Sequence, residues 1–368
     1  MKRLLSVFVV SFLFGIGIET GMKYVFPPKP ATFMWFPNLF NQVQEIDWYQ
    51  LLQSEFYQHG YLLQTQDIHL PQNSDIVVWA YPNGDLSDVS EEQYLVGWLQ
   101  ESPISLEQPL PAEQYQKFDM ILTYRQDLID NQKTFPVHIF TRVREIKKEY
   151  WKTPKSALIS QIASCGFDYA YKERVEAAKW FFENAPDDFK LYGKGWDEIK
   201  KDLSGQALKH FEQQYGGFVD DKHKAVSESK FVLAYENTIH ADYVTEKIFD
   251  VLQAGSVPVY LGAPNIETYV PKDCFINKND FKTYDDLYAF LKNMDDKTYE
   301  HYRQCAYRFI QKKDLNQFEI IRQASRRIFQ QKDKDLFDWW YDFRQKINSF
   351  FTLLTGNKND KSYGIRML

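Results

Sequence analysis

The sequence predicts an α/β protein of two domains, each built on a parallel sheet, followed by a helical C-terminal tail. Three observations carry this. Apolar runs of strand length alternate with amphipathic helical segments on both sides of a charged stretch near residue 150. The 368 residues suit about two domains of roughly 100 to 200 residues each. Beyond Thr283 the strand-type runs stop and the pattern turns helical.

Residues 1–30 form the first segment, an apolar run from Leu4 to Ile18 behind Lys2 and Arg3, then Pro27, Pro28 and Pro30. The run is shorter than the ~18 to 20 residues of an ordinary spanning helix. It lies ahead of the first strand and lacks a small-residue cleavage site. A single-pass N-terminal anchor is therefore favoured over a cleaved signal peptide or a buried segment. Residues 31–150 make the first α/β domain, with strands expected at 31–36, 60–63, 76–81, 94–99, 118–124 and 135–141 and a helix over 45–58. The charged stretch 142–155 reads as the linker. Residues 151–315 make the second domain, with strands at 156–163, 189–192, 230–235 and 257–261 and helices over 172–184 and 243–254. Residues 316–368 are the helical tail, whose Phe337, Trp339, Trp340, Tyr341, Phe343, Phe350 and Phe351 suit packing on a domain face or a membrane surface. Short strands joined by helices place binding sites at the carboxyl ends of the strands.

Composition excludes several classes. A net charge of -6, from 44 Lys+Arg against 50 Asp+Glu, offers no footprint for nucleic acid. The hydrophobic share of 44% argues against disorder, and aromatics at 17% suit cores, membrane surfaces and sugar clefts alike. Cys165, Cys274 and Cys305 cannot all pair within one chain, and no N-x-S/T acceptor occurs, so the sequence carries no sign of an oxidising compartment.

The most informative segment runs from Lys230 to Phe281. Five apolar residues, Phe231 to Tyr235, end in Glu236-Asn237. Asp242 is placed to cap a helix whose apolar face is Val244, Ile248, Val251 and Leu252 and whose end is Gly255. Glu246 and Lys247 fall in its first turn, where backbone N–H groups and a lysine together suit a phosphate.

These residues resemble a known family. Tyr235-Glu236-Asn237, the run Asp242 to Lys247, the run Ala254 to Val259 and the run Leu261 to Asn265 are similar to the donor-binding signature of the α-1,3-fucosyltransferases (glycosyltransferase family 10). Glu173-Arg174-Val175 before Leu191 to Gly195, and Glu101-Ser102-Pro103 before Phe118 to Arg125, agree with it. The resemblance spans roughly residues 94–281. It implies a GT-B fold, two Rossmann-like domains facing across a cleft, with acceptor on the first and GDP-fucose on the second. It also implies an inverting transfer of L-fucose from GDP-β-L-fucose to a glycan hydroxyl, forming an α-1,3 linkage to GlcNAc or Glc in protein or lipid glycosylation. By the same resemblance Arg174 and Lys247 would hold the diphosphate, Asn237, Tyr243 and Glu246 would line the donor pocket, Tyr235 would belong to it, and Glu101 would be the general base. No cofactor is implied beyond the donor substrate, with Mn2+ at most a stimulant. The partners implied are GDP-fucose, an oligosaccharide or glycoconjugate acceptor and, through the anchor, a membrane: Golgi in a eukaryote, the inner membrane in a bacterium. A transferase using another GDP-sugar and a glycan-binding protein without turnover are the alternatives. One departure is Ala163-Ser164-Cys165-Gly166, where the family has Ser-Asn.

Other signals carry less. Asp333-Lys334-Asp335 has the D-x-D form of metal-chelating transferases but sits among late helices, as a solvated face would. Asp220-Asp221 reads as a turn, Cys165 as a buried structural thiol and His240 as a loop residue. No metal-ligand spacing, P-loop or nucleophile elbow occurs.

Overall fold

Residues 27–34, 47–80, 86–87, 89–100, 112–137, 148–165, 172–203, 205–311 and 317–333 are described by the structure, a computed structural model. The expected N-terminal anchor, Glu101 and the aromatic cluster after Phe337 lie outside these residues. Among the described residues no helix is long and apolar enough to cross a membrane.

The first domain runs β1 (Lys29–Met34), α1 (Asp47–Gln58), β2 (Tyr61–Thr65), β3 (Ile76–Trp79), β4 (Tyr94–Leu99), α2 (Ala112–Lys117), β5 (Met120–Thr123) and β6 (Thr134–Pro136). All six strands are parallel, in the order β2-β1-β3-β4-β5-β6. Of the strand expected over 135–141, residues 138–141 lie outside the described ones. Pro136 is at the sheet edge, where a missing N–H breaks no ladder. Alternate residues of the central strands serve opposite faces. Phe33, Val78, Val96 and Leu122 pack under α1, while Met34, Val77, Leu95 and Ile121 form a second core with Trp79 and Phe118.

The chain then passes through α3 (Lys148–Trp151). The described part of the expected linker is packed rather than loose. The Trp151 indole donates to Gln253 O at 2.9 Å, and Lys155 Nζ donates to Ser227 O, Gly255 O and Ser256 Oγ. The second domain runs β7 (Ala157–Ile162), α4 (Lys172–Asn184), β8 (Phe189–Tyr192), α5 (Gly205–Gln214), α6 (Lys222–Ser227), β9 (Ser229–Tyr235), α7 (Glu246–Gln253), β10 (Val257–Leu261), β11 (Ile276–Asn277), α8 (Tyr284–Lys292) and α9 (Asp296–Ile310). Its parallel strands lie in the order β8-β7-β9-β10-β11. One face packs Ile159, Phe231, Leu233 and Val259 against α4 and α5. The other packs Val232, Ala234 and Tyr260 against α7 and α9.

Two long-range features escaped the sequence. Cys274 and Cys305 form a disulfide with Cα atoms 5.0 Å apart, which corrects the reading that the cysteines carry no mark of oxidation. The fold brings the turn before β11 against the middle of α9, and spacing along the chain does not reveal such a meeting. The last described helix, α10 (Gln317–Lys332), belongs to the first domain's core although it comes after the second domain in sequence. Its Ile321, Ala324, Ile328 and Phe329 join the cluster under α1. Phe329 meets the rings of Phe56 and Tyr61 at 5.0 and 5.5 Å. Burying each of the three large side chains contributes roughly 1.5–3 kcal/mol, enough to bind the chain's return to the first sheet.

Candidate active site

In an open parallel sheet the crevice for a ligand lies at the carboxyl ends of the strands where the strand order reverses. Here that point is between β7 and β9, since β8 extends the sheet to one side of β7 and β9 to β11 extend it to the other. Two segments leaving these strands build the site: α4 after β7, and the loop from Glu236 to Thr245 with α7 after β9.

Arg174 stands in the first turn of α4 and is 3% exposed. Its Nε and Nη2 donate to the carbonyl of Tyr235 at 3.1 and 2.6 Å, and Nη2 also donates to Asn237 Oδ1 at 2.7 Å. The guanidinium thereby fastens α4 to the end of β9. The Tyr235 ring points into the core beside α4, and burial pushes its hydroxyl pKa well up. Tyr235 meets Arg174 through its main-chain carbonyl and also lines the cavity beside it.

The loop between β9 and α7 also departs from expectation. The helix starts at Glu246 with Thr245 as its N-cap residue, not at 243 behind Asp242. Asp242 has a left-handed backbone, φ +66°. Its Oδ1 accepts from Asn265 Nδ2 at 2.6 Å and Tyr269 Oη at 2.8 Å, and its N–H donates to Asn265 Oδ1. Asp242 therefore ties the loop to the segment after β10. The reason is a stronger partner for the helix start: Glu236, whose Oε1 accepts from Thr245 N at 2.8 Å and whose Oε2 accepts from Thr245 Oγ1 at 2.6 Å. Gly255 ends α7 as expected, at φ +72°, and a Cβ there would meet the Trp151 ring at 2.8 Å.

Lys247 is not a solvated surface lysine. Its Nζ donates to Thr245 Oγ1 at 2.7 Å and pairs with Glu236 at 3.1 Å and Glu246 at 3.5 Å. Burial alone would lower its pKa, but the Glu236 and Glu246 carboxylates outweigh burial and raise it. Glu246 shows the converse: burial would raise its pKa, and Lys247 and Lys222 bring it down. Arg174 and Lys247 are therefore both cationic and both line a small cavity of about 10 Å3 with Gln161, Lys222 and Tyr235. Two fixed cations at helix starts suit phosphate oxygens. Tyr243, buried between the two loop anchors, meets the ring of Tyr124 at 5.3 Å. Tyr124 lies just after β5, so this contact joins the two domains across the cleft.

Of the residues proposed from sequence, Arg174 and Lys247 share the cavity, Asn237 bonds Arg174, Glu246 pairs with Lys247, and Tyr243 lies in the same loop. Glu101 comes after β4 and Gln100, whose side-chain amide donates to Val137 O at 3.2 Å, but Glu101 itself is outside the described residues. Sequence reasoning gave no role to Glu236 or Thr245. A carboxylate directly after five apolar strand residues was the available signal. Cys165 is half-buried rather than buried, and burial holds its thiol up in pKa. Asp333, the first residue of the D-x-D, comes after α10 at the first domain. Among the described residues no three His, Cys, Asp or Glu side chains group as a metal site.

Comparison with known proteins agrees with this geometry. Residues 172–335 match the family model described as Glycosyltransferase family 10 (fucosyltransferase) C-term. The chain is 32% identical over 170 residues to the 4-galactosyl-N-acetylglucosaminide 3-alpha-L-fucosyltransferase 9 of Rattus norvegicus, covering 45% of this chain and 45% of that protein. It is 42% identical over 92 residues to an alpha-(1,4)-fucosyltransferase of Arabidopsis thaliana, covering 24% of this chain and 23% of the relative. The match thus spans less than half the length of these relatives. Among solved structures, an alpha1,3-fucosyltransferase superposes with a TM-score of 0.52 at 18% identity, over 80% of this chain and 88% of its own. An alpha-glucosyltransferase in complex with UDP and mismatched DNA superposes with a TM-score of 0.51 at 12% identity, over 76% and 94%. These superpositions establish the GT-B fold, with two Rossmann-like domains. Residues 172–335, the part of the chain that is similar to glycosyltransferase family 10, carry both Arg174 and Lys247.

Proposed function

We propose that the protein transfers L-fucose from GDP-β-L-fucose to a hydroxyl of a glycan acceptor, with inversion, forming an α-1,3 linkage to GlcNAc or Glc. The observation that carries this reading is the convergence of Arg174 and Lys247 at the strand-order reversal of the second sheet. As the bond to fucose breaks, negative charge develops on the departing GDP, and two preorganised cations stabilise that charge more than they stabilise the intact donor. Glu101, two residues beyond the end of β4 in the sequence, removes the acceptor hydroxyl proton as C1 is attacked from the opposite face. Asn237, Tyr243 and Glu246 line the donor, Glu246 accepting from sugar hydroxyls. Mn2+ has no essential role in this scheme.

Incubating the purified protein with GDP-fucose or GDP-mannose and a panel of lactosamine-type acceptors tests the reading. Fucosylated product and GDP release only with GDP-fucose are expected. Turnover only with GDP-mannose would replace the donor, and glycan binding without turnover under any condition would make the protein a binder.

We further propose that the apolar run from Leu4 to Ile18 tethers the protein to a membrane and places its body on the far side. The Cys274–Cys305 pair supports an oxidising compartment there. Labelling of the body by a membrane-impermeant reagent in intact membranes contradicts this if it occurs from the cytoplasmic side.

A further inference from the structure

Glu236 has no part in the transfer chemistry, yet it is the carboxylate around which the start of α7 is organised. Its side chain is fully buried, and such a charge persists only where it is paired and hydrogen-bonded. Three donors meet it: Thr245 N–H, Thr245 Oγ1 and the Lys247 ammonium. Thr245 Oγ1 directs its own proton to Glu236 and accepts from Lys247 Nζ, and the Lys247–Glu236 ion pair closes the ring.

An ammonium has three N–H donors. For Lys247, one is directed at Thr245 Oγ1 and one at Glu236, which leaves one on the side where Glu246 stands at the longer distance of 3.5 Å. That third direction is the one a phosphate oxygen can take. The surroundings otherwise oppose a charged lysine. It is mostly buried, Arg174 repels it, and Lys222 lines the same cavity. Asp250, on the next turn of α7, is paired with Lys222 and His223. Glu246, the other carboxylate beside Lys247, is partly exposed at 38%.

We propose that Glu236 is a positioning residue that holds Lys247 as a fixed ammonium at the start of α7, with one N–H directed to the diphosphate of the nucleotide donor. The inference rests on the donor-site reading for its ligand, but the state of Lys247 can be measured without any ligand.

In the empty full-length protein, the rate of Lys247 acetylation by acetic anhydride against pH, read by peptide mass spectrometry, reports the neutral amine. The wild-type residue is expected to stay unreactive to a higher pH than ordinary surface lysines such as Lys297. A Lys247 that reacts at the same pH as those lysines, or lower, overturns the proposal with no variant needed. Glu236→Gln keeps the size and one acceptor but removes the charge, and should bring Lys247 reactivity down by at least one pH unit. Glu236→Asp, which keeps the charge, should largely restore the wild-type profile. Equal profiles for Glu236→Gln and wild type, with both folded by circular dichroism, overturn the proposal. GDP calorimetry from pH 7 to 9.5 adds the link to binding. The wild-type affinity should stay level, Glu236→Gln should weaken tenfold or more with rising pH, and Glu236→Gln on a Lys247→Ala background should show no such slope. A slope that persists without Lys247 refutes the coupling. Absence of GDP binding by the wild type would defeat the donor assignment and leave the acetylation profiles to decide the role of Glu236.

Discussion

Replacing Arg174 by Met should damage folding as well as donor binding, and the two effects can be sized separately. Methionine retains most of the apolar stem but removes every donor. The carbonyl of Tyr235 then loses bonds of 3.1 and 2.6 Å, and Asn237 Oδ1 loses one of 2.7 Å. With Arg174 only 3% exposed, water does not replace them readily. Each unsatisfied buried acceptor costs about 1–3 kcal/mol, which gives a destabilisation of about 3 kcal/mol. For a domain of this size that corresponds to a fall in Tm of roughly 6–12 °C. Loss of a charge-assisted contact should weaken GDP binding by a further ~1.5–3 kcal/mol, or at least tenfold. Thermal unfolding by circular dichroism and GDP calorimetry on the same preparation, at a temperature where both proteins are folded, measure both quantities. Arg174→Lys should recover less than half of either, since an ammonium cannot span the carbonyl and the amide as the planar guanidinium does. A Met variant melting within about 2 °C of the parent, well short of that fall, would refute the claim that Arg174 secures the end of β9.

Glu101→Gln should leave GDP-fucose binding intact and lower transfer by ~10²-fold or more; near-normal turnover in a product assay would reject Glu101 as the base. Gly262→Ala would put a Cβ against Tyr260 Oη and 2.5 Å from Glu236 Cγ, so a loss of about 1–3 kcal/mol in urea unfolding and weaker GDP binding are expected together. Asp250 is held at about 2, because Lys222 and His223 outweigh a burial that would raise it. Between that value and its ordinary 3.8 the unfolded chain binds more protons, so its contribution of about 2 kcal/mol is present above about pH 5 and lost as pH falls toward 2. The stability gap between parent and Asp250→Asn should close over that window, and a gap constant with pH would contradict the pairing. Cys274→Ser with Cys305→Ser removes a cross-link across a separation of 31 residues and should cost about 3–4 kcal/mol, read by denaturant unfolding with and without reductant.

Strands were legible where an apolar run was bounded by turn residues. β4, β8 and β10 coincide with the runs at 94–99, 189–192 and 257–261. The helix α4 coincides with its amphipathic pattern over 172–184. The start of α7 was misplaced by three residues for a physical reason. Asp242 has the side chain of a cap, but Asn265 and Tyr269 from beyond β10 occupy it, while Glu236 reaches back from β9 to Thr245. Local preference points to a cap; tertiary partners choose which residue serves. The packed linker and the return of α10 to the first sheet were hidden likewise, because an amphipathic helix declares that it has an apolar face and not which surface will cover it.

The amino-acid sequence alone determined the α/β class, the division into two parallel sheets and the family signature, since these depend on periodicity and on residue types within short windows. It also named Arg174 and Lys247. Only the tertiary structure decided how those cations are held. The reversal of strand order between β7 and β9 puts residues 61 positions apart at hydrogen-bond distance. It reveals a Tyr235 that meets Arg174 through its carbonyl, a disulfide, and the buried Glu236 that secures Lys247. A charge's value in a site depends on its solvation and its counter-ions, and both are properties of the folded surroundings rather than of the chain.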